Sequence, residues 1–543
     1  MLFHEAFGRT LGQVTDTVFG VLGDGNLFLM DSYRQHGGGR FLSMANEGGA
    51  VLAANGYANI TGRLGVATVT HGPGLTNTVT ALVEAVRSRS ATLVIAGDTP
   101  ASSREHIQGI NQQEVVSASG AIFEQVYSIR TFIDDLGRAA RTALQRRMPV
   151  VLNVPADFQW AEADVPLVAP NLSFARQAIA AEPEVLDQAV GVIASSRRPI
   201  LLVGRGAGRP ATRTALLKFA DRLGAPVATT LRAKDLFRGE TFDLGVMGTV
   251  SHEVTADTIA RSDCIIAVGA SLNQWTTVDG GLLKDRAVVQ IDTDPTAFAY
   301  GYKVDVAIVG DSTTVLEQIM AMLDEGDIEP RSFASPELAA ALQSPAARPP
   351  IPDLDSTPGT VNMHAAVARL DAAIPADRNV VLDAGRFLSV AFTGMRVPEP
   401  SAFITTMNFA SIGLGTGTAV GAAVGNPDRP TVLICGDGGF MMDGVAEFNS
   451  AVRHGVDLIV VLLNDGAYGA EHIQFTMRDM DPVMSTFDWP DFAPVADALG
   501  GTGYTVRNAA DLDHALAALP SRTGPVLIDI KIDAYKASPP AGH

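Results

Sequence analysis

The strongest chemical pattern in the chain is Cys435-Gly436-Asp437-Gly438-Gly439-Phe440, which closes an apolar run (Val432–Cys435) and leads into a helical stretch from Met442 to His454. A second apolar run, Leu458–Leu463, ends in Asn464-Asp465-Gly466-Ala467-Tyr468-Gly469. Oxygen-bearing side chains at two strand ends suit a hard divalent cation such as Mg²⁺, which completes its shell with phosphate oxygens. Glycines directly after a strand suit the phosphates, because backbone N–H groups at a helix start can then approach an anion. Asp437 is the first oxygen donor, and the Asn464-Asp465 loop supplies the next. A solvated Asp-Gly turn is the weaker reading, since two strands flank the motif.

Other proton-handling residues fall in similar turns. Glu47 opens a helical stretch in Ala45-Asn46-Glu47-Gly48-Gly49-Ala50, and His71 lies in the strand-to-helix turn Thr70-His71-Gly72-Pro73-Gly74. Asp24 sits in Gly23-Asp24-Gly25-Asn26, His106 and Gln108 in Glu105-His106-Ile107-Gln108, and Glu471 and His472 just beyond the second oxygen-bearing loop. The carboxyl and imidazole groups among them can hold or move protons, and the Gln108 amide can hydrogen-bond. Each, taken alone, also reads as a helix cap or a loop hydrogen-bonder.

The elements that must position these residues alternate between short β-branched runs, among them Val66–Thr70, Leu93–Ala96, Ile200–Val203, Cys264–Val268 and Val380–Leu382, and longer amphipathic stretches. That rhythm predicts an α/β protein of βαβ units with parallel sheets. Breaks at Ala161–Ala181 and at the proline-rich stretch Gln343–Thr360 divide the 543 residues into three Rossmann-like domains, 1–165, 182–325 and 358–543. The first and third are candidates for structural relatives. A net charge of −19 and a pI near 4.9 exclude a nucleic-acid partner, which needs clustered cations. Cys264 and Cys435 each lie in an apolar run, with neither disulfide nor metal spacing. The start of the chain lacks a signal pattern, and no apolar run is long enough for a membrane, so a cytoplasmic protein is expected. The tail 536–543 reads as a lid or an unstructured end.

The metal-and-phosphate segment resembles the fingerprint of the thiamine-diphosphate superfamily of acetolactate synthase, pyruvate decarboxylase and benzoylformate decarboxylase, which is Gly-Asp-Gly followed by Asn-Asn. This chain departs from it, with Asn464-Asp465 for two asparagines and a stretch one residue longer before Glu447. Counting forward from Asp437 makes Asn464 the second metal ligand; aligning on Glu447 and Tyr468-Gly469 makes it Asp465, with the Ala467 carbonyl as the third, and the second alignment is preferred. The resemblance further implies that Gly385, Gly438, Gly439, Tyr468 and Gly469 surround the cofactor, that Ile412 in Ser411-Ile412-Gly413 wedges it into its bent shape, and that the Ala410 carbonyl accepts from its N4′. Glu47 would be the carboxylic acid at N1′ of the aminopyrimidine, in an apolar setting that raises its pKa. Asp24, His71, His106, Glu471 and His472 would be the acid–base groups at the reacting carbon, with Gln108 in the place of the active-site glutamine of acetolactate synthases.

The three domains then become pyrimidine-binding, central and diphosphate-binding. In the central one, Gly204-Arg205-Gly206-Ala207-Gly208 is a partial dinucleotide pattern with arginine at 209 for the third glycine, so FAD or another nucleotide is possible there but not favoured. The resemblance implies an enzyme that makes or breaks a carbon–carbon bond in a small 2-oxo acid or related carbonyl compound. An acetolactate-synthase-like carboligase ranks first, then a simple 2-oxo acid decarboxylase, then a lyase or hydrolase on hydroxyacyl or diketone substrates; a silent cofactor-binding subunit ranks last. Glutamate and metal motif come from different subunits in this superfamily, which implies a homodimer at least and a homotetramer by preference.

Overall fold

Fully buried apolar runs become strands covered by helices on both faces, the arrangement parallel sheets require. The computed structural model describes all residues except 101, 102, 104, 174–177, 299–300 and 537–543; the tail beyond Lys536 therefore lies outside the described residues. Three six-stranded sheets result. The first comprises β1 (Thr17–Gly20), β2 (Arg40–Ser43), β3 (Gly65–Val69), β4 (Thr92–Asp98), β5 (Ile122–Gln125) and β6 (Val150–Pro155). The second comprises β7 (Pro199–Val203), β8 (Val227–Thr229), β9 (Asp243–Val246), β10 (Cys264–Val268), β11 (Ala287–Asp292) and β12 (Val306–Val309). The third comprises β13 (Asn379–Leu382), β14 (Phe403–Thr405), β15 (Thr431–Gly436), β16 (Leu458–Asn464), β17 (Thr502–Val506) and β18 (Val526–Lys531).

Strand order separates the domains into two kinds. The first sheet runs β2-β1-β3-β4-β6-β5 and the third β14-β13-β15-β16-β18-β17, the same order shifted by twelve strands. The suspected kinship of first and third domains is thus visible in topology. The second sheet runs β12-β11-β10-β7-β8-β9 and stands apart.

The chain forms two compact units, one holding the first and third sheets and the other the central sheet with residues 392–403. In the central unit the glycines of 204–208 serve close packing of strand-end loops: a Cβ on Gly204 would lie 2.1 Å from the Gly269 carbonyl oxygen. Both cysteines are free and buried. No helix among the described residues is long and apolar enough to cross a membrane.

Within the first unit, five helices bear on the crevices and their supports: α1 (Glu47–Thr61), α2 (Val79–Arg87), α3 (Gly415–Gly425), α4 (Val445–His454) and α5 (Gly469–Thr476). Asn46 caps α1 by accepting from Gly49 N at 2.6 Å, and Gly62 ends it in the left-handed conformation at φ 69°. α1 and α3 cross at backbone contact. A Cβ on Gly421 would fall 1.8 Å from the Ala53 carbonyl oxygen, one on Gly56 2.0 Å from that of Thr418, and one on Gly417 3.0 Å from that of Gly49. Glycine inside a helix costs roughly 1 kcal/mol against alanine. Gly417, Gly421 and Gly425 recur every four residues, so that cost lines one face and is offset by packing that no larger side chain would permit.

Gly421→Ala should therefore lower the melting temperature, with a penalty on the order of 1–3 kcal/mol for overpacking. Gly191→Ala is the control, because its helix position opens on free space, and it should stabilise by about 0.5–1 kcal/mol. Melting curves of the two variants decide it, and an unchanged midpoint for Gly421→Ala would refute the close crossing.

Candidate active site

In an open parallel sheet a crevice forms where strand order reverses, because the connections on its two sides leave toward opposite faces. The first sheet reverses between β1 and β3, and the third between β13 and β15. Asp24 follows β1 and His71 follows β3, whereas Gly385 follows β13 and Asp437 follows β15. The candidate residues thus divide between two crevices of like topology.

In the third sheet, Asp437 is buried, and its Oδ2 has no hydrogen-bond partner. Burial first, and the charge of adjacent Asp465 second, push its carboxyl up to about 7. Asp465 is also raised by burial, against the pull of Arg386. Two crowded carboxylates with an orphan oxygen call for a cation. Among the described residues no three His, Cys, Asp or Glu side chains form a group that could hold a metal ion, so an ion at this pair would have to take its remaining oxygens from backbone and phosphate. The glycines leave the matching space: a Cβ on Gly438 would meet the Tyr468 ring at 2.6 Å, and one on Gly469 would meet Asp465 Oδ2 at 2.5 Å. Ile412 lies against Gly438 and Gly439, and Phe387 packs beside Gly385. These residues fit a Mg²⁺-diphosphate.

Asn464 is turned away from this pair. Its Nδ2 donates to Asp529 Oδ1 at 2.8 Å and its Oδ1 accepts from Gly466 N at 3.1 Å, so both ends of the amide are engaged inside the sheet. Asp465, one residue on, accepts from Ala467 N at 3.1 Å and faces Asp437. This geometry favours Asp465 over Asn464 as the partner of Asp437. The helix after Asp437 is also not regular from Met442: Phe440–Gly444 form a π turn before α4 begins. A π turn holds one residue more than an α turn, which accounts for the longer stretch before Glu447.

In the first sheet, the geometry brings Asp24, His71, His106 and Gln108 together. The His71 and His106 rings meet edge to face, 5.0 Å between centroids. A Cβ on Gly25 would lie 2.7 Å from His71 Nδ1, and one on Gly72 2.3 Å from the Gln108 carbonyl oxygen. His71 is buried with neither ring nitrogen in hydrogen-bond geometry, although the Gln108 side chain is close. Burial, then neighbouring His106, lowers its pKa, so it is neutral at pH 7. Glu47 stands at the start of α1, half-exposed, with its Oε2 accepting from Asn77 Nδ2 at 3.0 Å. The apolar enclosure expected of it is not supplied by its own surroundings in the single chain. Glu471 is exposed on α5; His472 is buried, its ring 4.8 Å from that of Tyr535. Ala410 adopts a left-handed φ of 59°.

Three charged residues of these crevices were not anticipated. Asp98, at the end of β4, shares the field around His71, and burial raises its pKa. Asp383, which follows β13, accepts from Ala384 N at 2.8 Å and Gly413 N at 2.9 Å, and burial pushes it up to about 6. Arg386 lies 2.6 Å from Asp465 Oδ2, off the hydrogen-bond axis at that nitrogen, and donates to the Asp533 carbonyl at 2.7 Å. The usable signal was position: each lies at or just past a strand end.

The start of α1 is held by Glu447 of α4, which accepts from Ala45 N at 3.3 Å and Asn46 N at 3.2 Å. Asp443 holds the Asn46 side chain. Burial pushes Glu447 from an ordinary 4.5 up to about 7. The folded protein therefore binds a proton that the unfolded chain releases, and this carboxyl costs stability as pH rises through that window. Glu447→Gln, which still offers an acceptor to these N–H groups, should flatten the decline of melting temperature between those two pH values; an unaltered slope would show that Glu447 is ionised in the fold.

Comparison with known proteins finds matches over most of the chain. Residues 2–119 match the N-terminal TPP binding domain of thiamine pyrophosphate enzymes, 186–319 the central domain, and 383–530 the C-terminal TPP binding domain. Similar proteins include a sulfoacetaldehyde acetyltransferase of Alcaligenes xylosoxydans xylosoxydans, 26% identical over 94% of this chain and 89% of the relative. The acetolactate synthase isozyme 2 large subunit of Escherichia coli (strain K12) is 27% identical over 96% of this chain and 93% of its own. An acetolactate synthase of Mycobacterium bovis is 27% identical over 98% and 88%.

Proposed function

Because the chain belongs to the thiamine pyrophosphate enzyme family, we propose that it is a Mg²⁺-dependent carboligase that joins an acyl group from a 2-oxo acid to a second carbonyl compound, as an acetolactate synthase does. The observation that carries this reading is the buried Asp437–Asp465 pair with its orphan oxygen beside the Gly438-Gly439 cradle. Asp437, Asp465 and the Ala467 carbonyl hold the metal, and Gly438, Gly439, Tyr468 and Gly469 receive the diphosphate. When bound, the cofactor supplies an electron sink for cleavage next to a carbonyl.

The chain's own residues do the rest. Ile412 would support the cofactor, and the Ala410 carbonyl would accept from its aminopyrimidine. Glu47 keeps a proton at N1′. His71, neutral at pH 7 and without a partner on either nitrogen, takes or returns a proton at the substrate, with His106, Asp24 and Gln108 around it. Glu471 and His472 approach from the diphosphate side. The half-exposure of Glu47 supports a homodimer, in which a second copy covers it, and a homotetramer is the preferred assembly.

A second reading, simple decarboxylation of a 2-oxo acid, is favoured by the clustering of His71, His106 and Asp24, since acid groups at the reacting carbon promote protonation over coupling. Incubation with thiamine diphosphate, Mg²⁺ and a panel of 2-oxo acids, with and without aldehyde acceptors, separates the two by mass spectrometry. CO₂ with a coupled hydroxyketone is the expected result; CO₂ with free aldehyde alone would favour decarboxylation, and no turnover of any 2-oxo acid would defeat both. Glu47→Gln should lose at least about a hundredfold in turnover while still binding cofactor, in line with the worth of a positioned proton donor. Asp465→Asn should weaken Mg²⁺ binding, whereas Asn464→Asp should not strengthen it.

A further inference from the structure

The loop that carries Ala410 and Ile412 is gripped by two buried carboxylates from different domains. Asp383, in the third sheet's own crevice, accepts from Thr406 Oγ1 at 3.2 Å and from Gly413 N at 2.9 Å, so it holds the two ends of the loop. Glu84, on α2 of the N-terminal domain, holds the middle. It is fully buried, and its two oxygens accept from Asn408 Nδ2 at 2.6 Å and from Phe409 N at 2.8 Å. Arg87, one turn along α2, lies over the Phe409 ring at 4.9 Å and donates to the Asn408 carbonyl at 3.4 Å. Asn408 is further tied to the Thr405 carbonyl at 3.1 Å.

The residue immediately after this grip is Ala410, at φ 59°. An L-residue with a Cβ pays roughly 1–2 kcal/mol for the left-handed conformation, so something must hold it there. A turn bond from Ala410 N to the Met407 carbonyl, 3.2 Å, contributes little by itself. The charge-assisted bonds to Glu84 are the strong ones. Two residues beyond, Ile412 is brought against Gly438 and Gly439.

We propose that Glu84 is a positioning residue for the cofactor: by clamping Asn408 and Phe409 it fixes the Ala410 carbonyl and the Ile412 wedge in the shape that receives the bent cofactor. This rests on the thiamine reading of the site. Glu84 does not touch the reacting atoms; it acts through the loop, and it makes the N-terminal domain of a chain responsible for the shape of that same chain's C-terminal half-site.

Glutamine at 84 has one acceptor where the loop presents two donors, so Glu84→Gln leaves one donor facing another. The dissociation constant for thiamine diphosphate at saturating Mg²⁺, measured by titration calorimetry on the full chain, should rise about tenfold, the consequence of one unsatisfied buried group. Hydrogen exchange of residues 405–413 should quicken in the cofactor-free protein. Adding Ala410→Gly, which removes the Cβ penalty at positive φ while keeping the carbonyl, should recover most of the lost affinity; a residue that merely held the domains together would gain nothing from that change. Should Glu84→Gln fail to accumulate, Asn408→Ala tests the same clamp from its half-buried side, with the same expected loss. Wild-type affinity and exchange in the variant would overturn the clamp alone, as would absence of rescue by Ala410→Gly. A wild-type chain that binds no thiamine diphosphate would overturn the functional reading, and the clamp's purpose with it.

Discussion

Everything in the first unit depends on how closely two helices approach. α1 and α3 touch backbone to backbone because Gly417 faces Gly49, Gly421 faces Ala53, and Gly56 faces Thr418. Such contact leaves almost no freedom to slide or rotate, since a Cβ on Gly56, Gly417 or Gly421 would meet a carbonyl oxygen of the other helix. The start of α1 carries Glu47, and the loop before α3 carries Ala410 and Ile412. One stiff crossing therefore fixes the base of the two structures that the chemistry asks to be accurate, and Glu447, Asp443 and Glu84 secure them at their ends. The cost is a set of buried carboxylates, several pushed up toward neutrality by desolvation. Protein interiors tolerate such groups only where backbone N–H groups or amides receive them, and here each of them is received.

Much of this was legible from residue types. Alternation of β-branched runs with amphipathic stretches identified parallel α/β sheets, because buried strands and surface helices have different periods. Asp437, Gly438 and Gly439 could be singled out as candidates because few residue patterns would suit a phosphate cradle. His71, His106, Asp24 and Gln108 could be named but not joined, since β1, β3 and β4 bring them together only once strand order is known. The choice between Asn464 and Asp465 depended on one extra residue, and a sequence does not reveal whether such a residue is looped out or wound into a π turn.

What stayed hidden depends on distant partners. Glu84 reads as a charged residue on an amphipathic helix, and nothing local tells of the Asn408–Phe409 peptide that buries it. Arg386 and Asp383 likewise acquire meaning only when β13 lies beside β15. The glycine spacing in α3 was available to inspection, yet glycines at four-residue intervals in an apolar stretch signal close approach only if a partner helix with small residues exists. That partner, α1, lies more than three hundred residues earlier.

The repetition of one strand order in the first and third domains has an electrical consequence. A crowded pair of carboxylates and a buried, neutral imidazole are poor neighbours, because each would shift the other's proton affinity. Two copies of one scaffold give each its own crevice and its own dielectric surroundings. The half with Asp437 and Asp465 can crowd its carboxylates apart from the His71–His106 pair, and a substitution that retunes one need not detune the other. Residues of the histidine crevice can then change while the Asp437–Asp465 crevice stands still.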